Sequence, residues 1–403
     1  LKAIKAYLPL ANDYELTLEG RIHDLIPENL DVWIANGVNR MSIGVQSFNT
    51  EVRQMVGRLD TKETVLERLA ALKAYGQCSV VIDLIYGLPG QTMEVWEQDL
   101  ADLVSSGVDG ADLYQLNVFD GSDLNKDIAN GKVPAAATTA MQGDMFEFGR
   151  KYLDERSYRR LSAAHWSANN RERSLYNILA KAGVPMFPFG SGAGGNVDGY
   201  GMMLHRALKP YEDMVSRGEK PFMALMKQSE LQPVVNQVVS QLEQGFLNIM
   251  SLVTLDPRLE ELNWLYKLWE ERGLVAYNGL LYKLTAAGEF WTVNLTQSTL
   301  EAVEYIMTGK NSFAMEAVAA QDTKTTSKDN PNQEVRGIGQ GKANISVPTD
   351  EDSEAQRKEA LIAKAKAEIA KSGASGESAE RMVQAMYNLS ADEIEYMMER
   401  MMS

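Results

Sequence analysis

The sequence predicts an α/β protein: a partial β/α barrel followed by a small winged-helix-like α+β unit and a tail. Three observations lead to this prediction. Between residues 14 and 119, four stretches typical of strands alternate with three typical of amphipathic helices, joined by short connections. Residues 255–293 combine helical patterns with a hairpin signal at Asn278 and Gly279. After residue 310 the composition becomes polar and rich in Thr, Asn, Gln and Lys.

The strands of the barrel follow in chain order. The first alternates apolar and polar side chains, and the second and third are apolar runs with the β-branched content of strands that are buried on both faces. The four predicted strands are residues 14–21, 41–46, 80–86 and 112–119. Right-handed β–α–β crossovers would place them side by side in one parallel sheet or barrel.

Three helices are predicted between these strands, at residues 28–37, 60–76 and 92–107. Each ends at a glycine, which favours the left-handed conformation that closes many helices. Asp60 with Glu63 matches a capping box at the start of the second helix, and Thr92 is the expected N-cap of the third.

The second half of the chain is less regular. Residues 126–158 and 209–252 are predicted as mainly helical, residues 159–166 as a further strand, and the glycine-dense residues 187–201 as a loop. We therefore expect four parts. These are the barrel at residues 1–205, a helical and winged-helix-like domain at 206–308, a disordered linker at 309–353 and a helical, methionine-rich tail at 354–403.

The amino-acid composition limits the possible functions of the protein and its cellular compartment. The chain carries 40 Lys and Arg against 55 Asp and Glu, a net charge of −15, which argues against nucleic-acid binding because phosphates require a basic face. The single cysteine, Cys78, excludes an internal disulfide and indicates a reducing, cytoplasmic compartment. No apolar stretch is long enough to span a membrane.

Polar side chains interrupt or end several of the predicted strands. Asp83 lies inside an apolar strand, where an unpartnered carboxylate is strongly destabilising or takes up a proton. Glu19 and Gln46 fall at strand ends, and Asn117 lies near the end of the fourth strand. Because the active sites of β/α barrels lie at the carboxyl ends of the strands, we expect one shared mouth to collect these side chains.

The order and spacing of several motifs resemble one family, the radical S-adenosylmethionine enzymes related to oxygen-independent coproporphyrinogen III oxidase. The motifs are TLEG at 17–20, NRMSIGVQSFN at 39–49, VGR at 56–58 and IDLIYGLPGQT at 82–92, with weaker matches in YQLNVF at 114–119 and FGSGAGG at 189–195. The resemblance covers roughly residues 10–295. It implies a partial barrel of the radical S-adenosylmethionine type, whose first strands are expected upstream of Leu1.

The resemblance also implies the residues that bind the cofactor. In the family, two S-adenosylmethionine molecules contact side chains at the positions that match Glu19, Gln46, Arg58, Asp83 and, less closely, Asn117. These side chains suit the ligand, since carboxylates accept hydrogen bonds from its ammonium group or ribose hydroxyls and a guanidinium can hold its carboxylate bidentately. Asn196, after the glycine-rich stretch, is assigned by position only.

One part of the family pattern is absent from the sequence. The three-cysteine motif that binds the [4Fe-4S] cluster, and the glycine-rich segment that follows it, are not present. We expect both upstream of Leu1, since the chain opens without a methionine and soon enters a predicted strand. The chain as given is expected to hold no metal and to be inactive alone, because one cysteine cannot ligate a four-iron cluster.

Residues 162–177 and the methionine-rich tail resemble the anaerobic haem-degrading branch of the family. This resemblance implies porphyrin ring opening with methyl transfer from S-adenosylmethionine and release of iron, with electrons from a flavodoxin-type donor. It makes His165 a candidate haem contact, since imidazole is the usual haem ligand. Four arginines are candidates to hold haem propionates: Arg159, Arg160, Arg171 and Arg173.

Two other functions fit the same pattern. One is oxidative decarboxylation of coproporphyrinogen III, and the other is a haem chaperone that binds haem and passes it on. Individual residues also have structural interpretations. Asp83 would be an acid satisfied by backbone amides, Arg58 a solvated surface charge, and His165 a hydrogen-bonded core or rim residue.

Overall fold

Six strands form the main sheet, and the first four are parallel. They are β1 (Thr17–Arg21), β2 (Arg40–Gln46), β3 (Ser79–Tyr86), β4 (Gly110–Gln115), β5 (Arg159–Arg160) and β6 (His165–Ser167). Their order across the sheet is β1-β2-β3-β4-β6-β5 in the computed structural model, which describes residues 1–309. The parallel part confirms the predicted α/β architecture, and the sheet does not close into a full barrel within these residues.

The strand predicted at residues 159–166 is two strands, and neither is parallel to its neighbour. β6 pairs antiparallel with β4, and β5 pairs antiparallel with β6. The chain reverses between β5 and β6 in a turn where the backbone N–H groups of Leu161 and Ser162 both donate to the carbonyl of His165. The parallel β–α repeat therefore ends at β4.

Helices connect the strands of this part of the chain. They are α1 (Lys2–Tyr7), α2 (Pro27–Ala35), α3 (Thr50–Met55), α4 (Lys62–Ala74), α5 (Met93–Ser106), α6 (Asp123–Ala129) and α7 (Thr139–Asp154), with a 3-10 turn at Ile22–Asp24. Thr92 caps α5 as predicted, since its side chain accepts a backbone N–H of the first turn. The capping box predicted at Asp60 and Glu63 is wrong. Thr61 is the N-cap of α4, and the carbonyl of Asp60 instead accepts from Arg53.

Apolar side chains on one face of the main sheet form the core with the helices. On β2, Met41, Ile43 and Val45 are fully buried in this core, which also contains Trp96 of α5. Trp96 donates its indole N–H to the carbonyl of Met145 on α7, 2.8 Å away. Full burial of each such side chain stabilises the fold by about 2 kcal/mol. The opposite face of the sheet carries the polar side chains of Arg40 and Ser42 on β2 and of Ser79 and Asp83 on β3.

A second, antiparallel sheet contains β7 (Gly194–Val197), β8 (Tyr200–Leu204) and β9 (Phe222–Lys227), and the helices α8 (Leu175–Lys181) and α9 (Leu208–Ser216) accompany it in the chain. The loop predicted at residues 187–201 is therefore wrong in its second half, and the helical prediction for 209–252 missed β9. Asp198 and Gly199, both with positive φ, form the two-residue turn between β7 and β8. Asp-Gly is a strong hairpin signal, but the high glycine content of this stretch led to the prediction of a loop.

The C-terminal part of the described chain has its own hydrophobic core. Its helices are α10 (Gln232–Glu243), α11 (Ile249–Val253), α12 (Asn263–Glu271), α13 (Ala286–Phe290) and α14 (Thr292–Thr308), with a 3-10 turn at Pro257–Leu262. The strands β10 (Phe246–Leu247), β11 (Val275–Tyr277) and β12 (Tyr282–Leu284) form a sheet in the order β10-β12-β11. The predicted hairpin is present, and the Asn278 side chain accepts from the N–H groups of Leu280 and Leu281 in its turn.

Two of the predicted parts of the chain fall beyond this description. The linker from residue 310 onward and the methionine-rich tail at 354–403 lie outside the described residues. The boundary predicted between residues 205 and 206 stays a prediction. Among residues 1–309, no helix combines the length and the apolar character that crossing a bilayer requires.

Candidate functional site

Polar side chains on neighbouring strands lie opposite one another on the second face of the main sheet. Asp83 on β3 is in register with Asp112 on β4, and Asp112 is in register with His165 on β6. The hydroxyl of Ser42 on β2 donates to Asp83 at 3.3 Å. We call this surface, together with Arg40 at the start of β2, the polar face. Four strands therefore contribute to one polar surface.

Gln46 ends β2 in a strained backbone conformation. Its φ of 71° lies in the left-handed region, which an L-residue with a side chain rarely adopts. The register of β2 against β3 shifts between Gly44 and Gln46, as in a β-bulge. Such bulges re-aim a side chain, and residues held in sparse backbone regions cluster at functional sites. The geometry therefore singles out Gln46 independently of any motif.

Two buried charged side chains hold the chain around Gln46. Arg53, only 1% exposed, donates to the carbonyls of Val45 and Ser47. Asp99 of α5 accepts from the hydroxyl of Ser47 at 2.8 Å and from a backbone N–H of the same loop at 2.7 Å. Burial raises the pKa of Asp99 to about 6, and these hydrogen bonds oppose the rise. Together they fix the strand end that carries Gln46.

Arg58 and Gln46 meet over Gly44. A Cβ atom at Gly44 would lie 2.9 Å from Nε2 of Gln46 and 3.7 Å from a guanidinium nitrogen of Arg58. A side chain at this position would displace the amide end of Gln46. Burial lowers the pKa of Arg58, and the carboxylate of Asp83 is among the charges that oppose this change. The guanidinium of Arg58 is therefore close enough to Asp83 to interact with its charge.

Asp83 is a perturbed acid at the centre of this region. Burial raises its pKa to about 6, the charge of Asp112 adds to the rise, and the hydrogen bond from Ser42 opposes it. The carboxylate of Glu19, exposed on β1, also raises this pKa, so it lies within electrostatic range of Asp83. Perturbed carboxyl groups of this kind are concentrated at functional sites.

The structure thus links four of the predicted site residues on the polar face: Glu19, Gln46, Arg58 and Asp83. Asn117 is exposed and follows β4, which ends at Gln115 rather than at residue 119 as predicted. Asn196 lies on β7 in the other sheet, where its side chain accepts a hydrogen bond from the N–H of Met186. The role of each of these residues in binding stays a prediction.

His165 lies inside the polar face rather than at an open haem site. It is 1% exposed, its Nδ1 is 2.9 Å from Oδ1 of Asp112, and its Nε2 is 3.1 Å from Oε1 of Glu172. Burial alone would lower the pKa of His165, but hydrogen bonds to the two carboxylates outweigh it and raise the pKa to about 9. An imidazolium bonded at both nitrogens has no lone pair for iron. The predicted haem contact at His165 does not fit this geometry, and its interpretation as a hydrogen-bonded core residue does.

Three of the four arginines predicted to hold propionates have other partners. Arg160 pairs with Glu289 at 2.7 Å, and Arg171 donates to two backbone carbonyls at 2.8 and 2.9 Å. Arg173 donates to the carbonyl of Asp13 at 3.5 Å, and Arg159 is exposed. The four guanidinium groups therefore do not form one ready anion site in the described chain.

Two residues of the polar face, Arg40 and Asp112, and their neighbour Glu172 were not predicted from the sequence as site residues. The guanidinium Nε of Arg40 is 3.0 Å from Glu172, and both side chains are buried. Asp112 carried a signal, because it is an acid within a predicted strand, as Asp83 is. Glu172 carried none, because it lies in an irregular polar segment after β6 and only the fold brings it under the sheet.

The donors and acceptors of this region fit S-adenosylmethionine. Within residues 1–309, the side chains of Gln46 and Arg58 have no hydrogen-bond partner, and the carboxylate of Asp83 has only Ser42. Polar groups that are partly buried and unpaired are available to a ligand. S-adenosylmethionine offers an ammonium group, a carboxylate and ribose hydroxyls, which these three side chains can bind.

The chain matches one protein-family model and is similar to several known proteins. Residues 5–103 match the model of the Radical SAM superfamily. The chain is 36% identical over 307 residues to anaerobilin synthase of Escherichia coli O157:H7, over 76% of this chain and 68% of that protein. It is 31% identical over 201 residues to the haem chaperone HemW of Lactococcus lactis, over 49% of this chain and 52% of that protein.

The fold has a match among solved structures. Coproporphyrinogen III oxidase (HemN) from Escherichia coli, a radical SAM enzyme, aligns with a TM-score of 0.63 and 20% sequence identity, over 74% of this chain and 72% of that one. At this identity the match shows the fold. The long similarity to anaerobilin synthase shows the family, and the superfamily match over residues 5–103 agrees with it. The chain therefore belongs to the radical SAM superfamily.

Proposed function

We propose that this protein binds S-adenosylmethionine on the polar face and opens the porphyrin ring of haem without oxygen, with methyl transfer and release of iron. The similarity to anaerobilin synthase over 307 residues is the main observation that supports the proposed reaction. The grouping of Glu19, Gln46, Arg58 and Asp83 supports the cofactor site. The single buried cysteine supports a cytoplasmic location.

Different side chains of the polar face would bind different groups of the cofactor. Asp83 would accept a hydrogen bond from the ammonium group or a ribose hydroxyl, and Arg58 would hold the carboxylate. Gln46, fixed by the bulge at the end of β2, would both donate and accept. The cofactor and a [4Fe-4S] cluster supply the radical chemistry when they are bound. The protein contributes orientation and exclusion of water.

We also propose that the cluster of the complete protein uses thiolates other than Cys78. The Cys78 side chain is buried, and burial raises the pKa of its thiol to about 12. A cluster ligand must be a thiolate, so a thiol of this kind is unsuited to the role. Electrons would come from a flavodoxin-type donor.

Two related activities are the competing proposals. The fold shared with coproporphyrinogen III oxidase supports oxidative decarboxylation of coproporphyrinogen, and the similarity to HemW supports haem binding without turnover. Anaerobic incubation of the complete, cluster-loaded protein with haem, S-adenosylmethionine and a reductant distinguishes them. Loss of the Soret band with a new linear tetrapyrrole supports ring opening. Bound haem with an unchanged Soret band supports a chaperone, and carbon dioxide released from coproporphyrinogen supports decarboxylation.

The cofactor site is tested by replacing Asp83 with asparagine. Asp83→Asn keeps the shape of the side chain and removes its charge, so we expect S-adenosylmethionine to bind at least tenfold more weakly, with unchanged circular dichroism. Asp144→Asn, on the exposed side of α7, is the matched control and should bind normally. Equal affinity of the two variants would remove Asp83 from the site.

A further inference from the structure

A row of polar groups runs across the sheet from the partly buried Asp83, and its other members are buried. Asp83, Asp112 and His165 occupy register-matched positions on β3, β4 and β6, so their side chains project from the same face. His165 bonds Asp112 through Nδ1 and Glu172 through Nε2. Arg40 completes the row by bonding both carboxylate oxygens of Glu172 through its Nε, at 3.0 and 3.2 Å. The cofactor site described above uses only the first member.

From Asp112 onward, the charges along the row alternate in sign. Glu172 lies between two cations, Arg40 and His165, and also accepts from the hydroxyl of Ser79 at 3.0 Å. His165 lies between two carboxylates and is therefore held as an imidazolium, which donates from both nitrogens. Asp112 has His165 on one side and Asp83 on the other. Such a row of buried charges is stable only while each charge is paired with one of opposite sign.

The weak point of the row is the pair of adjacent carboxylates. Asp83 and Asp112 are paired residues on neighbouring parallel strands, and two carboxylates this close cannot both ionise easily unless one of them has a cation of its own. His165 supplies that cation to Asp112. Without it, the charge of Asp112 would favour protonation of Asp83, which would then lose the charge it needs to accept from an ammonium group.

We propose that His165 is a positioning residue that acts through Asp112 to keep Asp83 ionised for S-adenosylmethionine. The inference rests on the proposed cofactor role of Asp83. Other groups also act on Asp83: Glu19 from β1, Ser42 and Arg40 from β2, Arg58 from the segment after α3, and Tyr114 from β4. Burial raises the pKa of Tyr114, so it stays neutral and does not supply a charge. Arg40 and Arg58 are permanent cations. His165 and Asp112 are therefore the two groups whose removal should shift the pKa of Asp83 in opposite directions.

Opposite changes in the pH dependence of binding distinguish this role from a merely structural one. Asp83 has a raised pKa of about 6, so cofactor affinity should fall as the pH drops through this value and the acid takes up a proton. His165→Gln leaves Asp112 uncompensated and should move the midpoint up by about one pH unit or more. Asp112→Asn removes the repelling carboxylate and should move the midpoint down. The double variant should return to the wild-type midpoint or below it.

The measurement is equilibrium dialysis of labelled S-adenosylmethionine against the complete, cluster-loaded protein from pH 5 to pH 9. We expect His165→Gln to bind at least about twofold more weakly than wild type at pH 7 and equally well at pH 9. His23→Gln is the matched control, because His23 is exposed and lies outside the row. Circular dichroism of each variant shows that it is folded.

The outcomes separate this inference from the cofactor site itself. Midpoints that move in opposite directions in the two single variants support the row. A loss of affinity that is equal at every pH, or midpoints that move in the same direction, would overturn it while leaving Asp83 as a ligand. Wild-type protein that binds no S-adenosylmethionine at any pH would overturn the proposed site, and the inference with it.

Discussion

Replacing Gln46 with glycine separates the cost of its backbone conformation from the contribution of its side chain. Gln46 has a φ of 71°, and its amide lies over Gly44 beside Arg58. Two effects of opposite sign are therefore expected from one substitution. The fold should become more stable, and the proposed cofactor should bind less tightly.

The size of the stability gain follows from the backbone. A left-handed conformation costs an L-residue about 1–2 kcal/mol, and glycine is free of this cost. Glycine also loses about 0.5–1 kcal/mol through the greater freedom of the unfolded chain. The Gln46 side chain has no hydrogen-bond partner within residues 1–309, so its removal subtracts little. We expect Gln46→Gly to raise the free energy of unfolding by about 0.5–1 kcal/mol.

The loss of affinity follows from the side chain. One or two hydrogen bonds to a ligand contribute about 0.5–1.5 kcal/mol each, so affinity should fall roughly tenfold. Gln46→Ala keeps the strained backbone and loses the same contacts. It should bind equally weakly without any gain in stability.

Urea unfolding and S-adenosylmethionine binding are the two assays. Ser157→Gly is the matched control, because Ser157 also has a positive φ of 61° but is exposed in the turn after α7. It should gain similar stability with unchanged affinity. A Gln46→Gly protein that is less stable than wild type, or that binds as tightly, would refute the reasoning.

Two further predictions concern stability alone. Burial would raise the pKa of Glu172, but its buried cationic partners outweigh this effect and lower the pKa to about 2. The stability that this group contributes is therefore present above pH ~4.5 and is lost as the pH falls toward 2. Glu172→Gln should therefore abolish about 3 kcal/mol of the acid dependence of urea unfolding, whereas Glu271→Gln on the exposed surface should not. Gly288→Ala should destabilise the C-terminal part by about 3 kcal/mol or more, because the new Cβ would lie 1.9 Å from the carbonyl oxygen of Leu274. Gly143→Ala, on a helix with open space, should stabilise by about 0.5–1 kcal/mol, and thermal unfolding of the two glycine variants measures both changes.

Local patterns predicted the elements that depend on local forces. The parallel strands β1 to β3 were predicted to within a few residues, β1 from the alternation of apolar and polar side chains and β2 and β3 from apolar runs with β-branched content. Thr92 was predicted as a cap because its hydroxyl satisfies a backbone N–H only a few residues away. Where a local signal was outweighed by composition, as at Asp198 and Gly199, the hairpin was missed.

The sequence by itself determined the α/β class, the family and the set of polar residues that interrupt the strands, because each of these is encoded in short-range spacing. Only the tertiary structure decided which charges meet. His165 is 53 residues from Asp112, and Arg40 is 132 residues from Glu172, so nothing in the spacing joins them. The sheet brings them together, and burial then requires that each charge face an opposite one, since an isolated ion in the protein interior is strongly destabilising. That requirement makes His165 part of an internal ion network, which its local sequence did not predict.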